Sequence, residues 1–111
     1  MITTHVLDLA NGRPARGVAV VLEMQRNVEW MPIGRGVTDE NGRLVTLTEG
    51  GDPVPGTYRL IFDLSRYQHA HGLGQAFFPE ATVTFTVRDA TEHYHVPLLI
   101  SPFGYSTYRG S

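Results

Sequence analysis

Short stretches in which apolar and polar residues alternate run along most of the chain. In Thr82-Val83-Thr84-Phe85-Thr86-Val87 every second residue is apolar, and in Tyr58-Arg59-Leu60-Ile61-Phe62 the residues Tyr58, Leu60 and Phe62 share one face. A period of two belongs to a strand with one buried and one polar face. The pattern predicts strands over 3–8, 18–25, 30–37, 43–47, 57–63, 81–87, 93–99 and 104–109. Turn formers punctuate them: Asn11-Gly12, Asn41-Gly42, Gly50-Gly51-Asp52-Pro53 and Val54-Pro55-Gly56. Strands this short, with turns this frequent, indicate an antiparallel sandwich or barrel rather than βαβ units. One segment, 64–70, breaks the rhythm and is followed by Gly72, as at the end of a short helix. No linker, repeat or low-complexity stretch interrupts the series, so one domain is expected over 1–111.

A chain of 111 residues holds one core but no deep private cavity. A small-molecule site would therefore be a surface cleft or a groove completed by another subunit. The hydrophobic share of 41% is that of a globular protein. Nine basic residues, all arginine, stand against eleven acidic ones. Without a basic run, the chain lacks the footprint of a nucleic-acid binder. The absence of lysine reads as composition bias before any demand for bidentate recognition. No apolar run has the length of a membrane span, and no leader pattern stands at the N-terminus, so a cytoplasmic location is expected. The absence of cysteine excludes disulfides, thiolate metal sites and a cysteine nucleophile.

Histidine carries the candidate chemistry. His69 and His71 fall at the end of the helix segment beside glycines and read as surface residues without a role. His93-Tyr94-His95 lies on a strand, so both imidazoles share a face and Tyr94 takes the other. Three readings stay open: two exposed polar side chains, a metal pair with His5 as third ligand, or acid–base groups. A Ser-His-Asp triad lacks the Gly-x-Ser-x-Gly elbow. Gly34-x-Gly36 lacks a partner at phosphate-loop spacing and reads as a strand edge. The C-terminal run from Ser101 to Ser111 keeps Tyr105, Tyr108 and Arg109 to its end. It is either a frayed stub or a tail held against something.

Thr4-His5-Val6-Leu7-Asp8, His93-Tyr94-His95-Val96-Pro97-Leu98-Leu99-Ile100-Ser101-Pro102 and the terminal Tyr108-Arg109-Gly110-Ser111 together resemble the 5-hydroxyisourate hydrolases, the transthyretin-related proteins. Arg13-Pro14-Ala15, Asp39-Glu40-Asn41-Gly42-Arg43 and Phe77-Phe78-Pro79-Glu80 extend the resemblance over essentially the whole chain. The terminal tetrapeptide sets those hydrolases apart from the thyroid-hormone carrier transthyretin. The resemblance implies an all-β, transthyretin-like sandwich of two four-stranded antiparallel sheets with one short α-helix. It also implies a homotetramer, a dimer of dimers, with substrate sites in a channel between dimers.

By the same resemblance His5, Arg43, His95 and Ser111 are catalytic. Tyr108, Arg109 and Gly110 join them in binding substrate, and neither a metal nor another cofactor is needed. The implied reaction is hydrolysis of 5-hydroxyisourate to 2-oxo-4-hydroxy-4-carboxy-5-ureidoimidazoline in urate catabolism. One of His5 and His95 would be the base and Arg43 the fixed charge on the oxyanion. Tyr108 and Ser111 would shape the pocket, with His93 ranked below His95. The alternatives are a transthyretin-like carrier of a small ligand and a zinc hydrolase using the same histidines.

Overall fold

The computed structural model describes residues 1–72 and 74–111. Its strands are β1 (Ile2–Asp8), β2 (Arg13–Pro14), β3 (Ala19–Arg26), β4 (Glu29–Val37), β5 (Arg43–Leu44), β6 (Gly56–Asp63), β7 (Glu80–Val87), β8 (Tyr94–Ser101) and β9 (Gly104–Thr107), with one helix, α1 (Leu64–Ala70), between β6 and β7. One sheet runs β2-β1-β8-β9, with β5 paired to β1; the other runs β4-β3-β6-β7.

The alternation expected from the sequence sets the layers. Val20, Leu22, Tyr58, Leu60, Phe62, Ala81, Val83 and Val87 of one sheet meet Ile2, Val6, Val96, Leu98 and Ile100 of the other in a buried core. The polar residues between them face out. Buried hydroxyls find partners: Thr4 Oγ1 donates to the Val96 carbonyl at 2.6 Å, and Tyr67 donates to the Asp8 carboxylate at 2.7 Å. Such pairing removes the penalty of an unsatisfied interior group.

The two-sheet, one-helix architecture is the expected one; two details of it differ. The first sheet has five strands rather than four, because the chain after Asn11-Gly12 pairs briefly with β1 through Leu7↔Pro14 and Asp8↔Arg13. The sheets are also not wholly antiparallel: β1 and β8 run parallel over seven pairs, from Ile2↔Tyr94 to Asp8↔Ile100. A parallel pair needs a long crossover, and here nearly the whole chain supplies it through the opposite sheet.

Two strands are shorter than expected. The segment at 43–47 is a two-residue strand running into a turn, and β9 ends at Thr107. Gly34 and Gly36 do lie on an edge strand, β4. A Cβ at Gly34 would overlap the Leu47 carbonyl oxygen at 1.9 Å, so the pair serves close packing. Helix α1 has the expected bounds: the Asp63 side chain caps its start through the Arg66 N–H, His71 is its C-terminal cap, and Gly72 follows at φ +72°.

Candidate active site

The site lies on the outer face of the five-stranded sheet. On β1, Ile2, Thr4, Val6 and Asp8 point into the core, which turns Thr3, His5 and Leu7 outward. On β8, burial of Tyr94 and Val96 turns His95 outward in the same way. The parallel register sets Thr3 beside His95, and the β1–β5 pair sets Arg43 beside His5. The ring centroids of His5 and His95 lie 6.4 Å apart, and those of His93 and His95 6.2 Å apart. Three imidazoles and one guanidinium, from three segments far apart in sequence, thus share one face.

A tight turn holds Arg43 there. The Asp39 carboxylate accepts from the Asn41 N–H at 2.8 Å and the Arg43 N–H at 2.9 Å. Gly42 passes at φ +76°, and a Cβ there would sit 2.4 Å from the Val6 carbonyl oxygen. The Arg43 N–H, opposed by desolvation, then the Asn41 N–H and the charges of Arg43 and His5 hold Asp39 below the usual carboxylate range. The same turn aims the Asn41 carbonyl at His5 Nε2, 2.8 Å away. A carbonyl only accepts, so that nitrogen carries the proton and Nδ1 is the atom His5 leaves available.

His95 is half-buried. Burial first, then the positive charges of His93, His5 and Arg43, push its pKa below the ordinary imidazole value. Both causes disfavour the cation, so the ring is neutral near pH 7 and competent to accept a proton.

The C-terminal tail returns to this face at one point. Gly110 forms an isolated bridge with His95, its N–H donating to the His95 carbonyl at 2.8 Å. A Cβ on Gly110 would stand 2.5 Å from His95 Cδ2, so any larger residue would push the ring from its place. The held tail, not the frayed stub, is what the structure contains. Arg109 turns away: its guanidinium lies 4.6 Å over the Tyr94 ring and 3.8 Å from the Glu92 carboxylate. Tyr108 lines a cleft of about 250 Å³ with Val83, Phe85, Val96 and Thr107. Ser111 is exposed at the end of the chain.

Of the residues singled out in the sequence, the fold gathers His5, Arg43, His93, His95 and Gly110. His69 and His71 are exposed, and His71 Nδ1 is engaged with the Tyr67 carbonyl at 2.8 Å. Among the described residues no group of three or more His, Asp or Glu side chains is arranged to hold a metal ion, so this donor set gives the zinc reading no support. Sequence reasoning missed three residues: Thr3, Asp39 and Asn41. Thr3 was within reach, because it stands two positions before His5 on a strand and so shares its face.

The chain matches the family model described as HIUase/Transthyretin family over residues 2–110. It is 45% identical over 111 residues to the 5-hydroxyisourate hydrolase of Salmonella dublin, covering 100% of this chain and 81% of that protein. The structure of Klebsiella pneumoniae 5-hydroxyisourate hydrolase superposes with a TM-score of 0.85 at 34% identity, covering 99% of this chain and 97% of that one. Transthyretin from Sparus aurata superposes with a TM-score of 0.88 at 34% identity, covering 98% and 95%. Fold and site together define a transthyretin-like β-sandwich with a polar, histidine-bearing outer face. The chain belongs to the HIUase/Transthyretin family.

Proposed function

We propose that this protein is a 5-hydroxyisourate hydrolase acting in urate catabolism. The observation that carries the reading is the juxtaposition of His5, Arg43 and His95 on one sheet face, in a chain similar along its length to proteins of that name. Opening a cyclic amide with water requires a base for the water, a positive group for the oxyanion and a proton for the departing nitrogen.

His95, neutral and half-buried, takes the proton from water. The oxygen bonds to the ring carbonyl carbon, and Arg43 holds the negative charge that develops on the carbonyl oxygen. The carbon–nitrogen bond then breaks, and the nitrogen leaves with the proton that His95 took from the water. The resulting acid leads to 2-oxo-4-hydroxy-4-carboxy-5-ureidoimidazoline. Gly110 borders the site, substrate binding is assigned to it together with Tyr108, Arg109 and Ser111 beside it in the tail, and no metal takes part.

The imidazoles stand on an open face, so one copy encloses little of a substrate. We place the complete site between copies in a homotetramer, a dimer of dimers, located in the cytoplasm. The described helices include none long and apolar enough to cross a membrane.

Likeness to transthyretin makes a ligand carrier the second reading; the charge and polarity of His5, Arg43 and His95 weigh against it. The deciding test follows the ultraviolet decay of 5-hydroxyisourate, freshly made from urate by urate oxidase, with and without the protein and a strong chelator. Decay accelerated in both conditions is expected. Acceleration abolished by the chelator would restore the zinc hydrolase, and no acceleration by folded protein would turn the reading to the carrier.

A further inference from the structure

One contact in the site is made by a residue that neither the sequence nor the family resemblance put forward. Thr3 Oγ1 lies 2.8 Å from His93 Nε2 and 2.8 Å from His95 Nδ1. Thr3 is only 2% exposed, so little water competes for its hydroxyl. His93, by contrast, is exposed, while His95 between them and His5 is half-buried. We infer that Thr3 is a positioning residue that fixes the tautomer of His95 and joins it to His93 as a path for the proton. The inference rests on the proposal that His95 is the base.

A hydroxyl has one proton and two lone pairs; with neutral rings, and with the proton of the buried Thr3 hydroxyl used within the bridge, two arrangements remain. In the first, His95 Nδ1–H donates to Thr3 Oγ1 and the Thr3 O–H donates to His93 Nε2; His95 Nε2 is then bare. In the second, both bonds are reversed, and His95 Nε2 carries the proton. Only the first serves a base acting through Nε2.

When His95 Nε2 takes a proton from water, the ring is briefly a cation. The Nδ1 proton can then pass to Thr3 Oγ1 as the Thr3 proton passes to His93 Nε2. Charge is conserved: His95 becomes the neutral Nε2–H form and His93 the imidazolium, with Thr3 again a neutral hydroxyl, and the reverse shift returns a proton to His95 Nδ1 as the Nε2–H protonates the departing nitrogen. The shift moves positive charge away from Arg43 on β5 and His5 on β1 to a ring in contact with water, which lowers its cost. Asp39 faces the His5 side of this group, while Glu92 is engaged with Arg109; neither carboxylate touches the bridge. In this arrangement the sequence His93-Tyr94-His95 is a working pair, with Thr3 between its rings.

The test begins with the unaltered protein labelled with nitrogen-15 at histidine. Long-range nitrogen–proton correlations report which ring nitrogen is protonated, whether or not the substrate has been identified correctly. The expected spectrum has His95 protonated at Nδ1 and bare at Nε2 at neutral pH. Thr3→Val keeps the shape and removes the hydroxyl. It should shift His95 toward the Nε2–H form and lower kcat roughly 10- to 100-fold, the effect of losing a partner that orients an imidazole, with KM little changed. Thr3→Ser should restore both.

His93→Gln keeps an acceptor but cannot carry the proton. It should leave the His95 tautomer in place, lower kcat and change the pH profile. A bare Nδ1 on His95 in the unaltered protein would overturn the inference. So would a Thr3→Val variant with unchanged kcat and pH profile. If the unaltered protein shows the expected tautomer but no hydrolysis, the bridge stands and the assigned reaction fails.

Discussion

At the scale of residues, the proposed chemistry depends on keeping His95 neutral while positive groups surround it. His95→Ala should lower kcat/KM about 10²- to 10⁴-fold, the range for loss of a general base. His5→Ala should also lower it substantially, since its ring is fixed by the Asn41 carbonyl. Stopped-flow decay of 5-hydroxyisourate measures both, and unchanged rates in the two variants would remove imidazole from the mechanism.

The pH profile carries a sign. The folded pKa of His95 lies below the ordinary value, about 6.5. Its base form is therefore present above a pKa lower than that, and kcat/KM should rise with pH through a limb below 6.5 and then level. Stability follows the same direction. The unfolded chain binds the His95 proton at higher pH than the native state, so this residue's contribution is intact above about 6.5 and is lost as pH falls toward the folded value. A limb at or above 6.5 would assign the titration to another group.

At the scale of elements, the site depends on two glycines past which other groups crowd, Gly42 against backbone and Gly110 against the His95 ring. Gly42 carries the turn before β5 at φ +76°, facing the Val6 carbonyl. Gly42→Ala should cost about 1–3 kcal/mol, the range for a strained backbone position, and should also displace Arg43 and the Asn41 carbonyl. Denaturant titration and kcat/KM together test this; a variant of full stability and rate would contradict it. Gly110→Ala brings a methyl group against the His95 ring while leaving the core untouched, so it should reduce turnover with little change in melting temperature. Removal of residues 109–111 should act in the same direction.

These elements also show what a sequence carries openly. The period of two in Tyr58–Phe62 and Thr82–Val87 predicted buried faces that the fold contains, because a strand's side chains alternate whatever its neighbour. Helix α1 was legible from the loss of that period. The parallel pairing of β1 with β8 was not, because pairing direction leaves no mark on a strand's own pattern. His5 and His95 were legible as candidates by chemistry and resemblance. The Thr3 bridge was not, because it exists only once Thr3↔His95 register is set, and threonine in a strand is ordinary.

At the scale of the whole molecule, the open face that carries the histidines continues into an apolar row. Leu7 and Leu99 are paired across β1 and β8, and Leu99 is paired with Ser106 on β9; both leucines are half-buried on the same side as His5 and His95. A sandwich whose core already fills the space between its sheets cannot enclose a substrate on an outer face by itself. A second copy laid across that face would cover the leucines and wall the histidines into a groove. Leu99→Arg places a charge in that row four residues along β8 from His95, without touching the imidazoles or the core. Light scattering coupled to size exclusion should show the parent at four times the chain mass of 12.3 kDa and the variant in a smaller assembly. Circular dichroism should remain that of the folded sandwich, and kcat/KM should fall with the loss of assembly. A smaller assembly that turns over at the parental rate would mean that one copy, or one dimer, already contains everything the reaction needs.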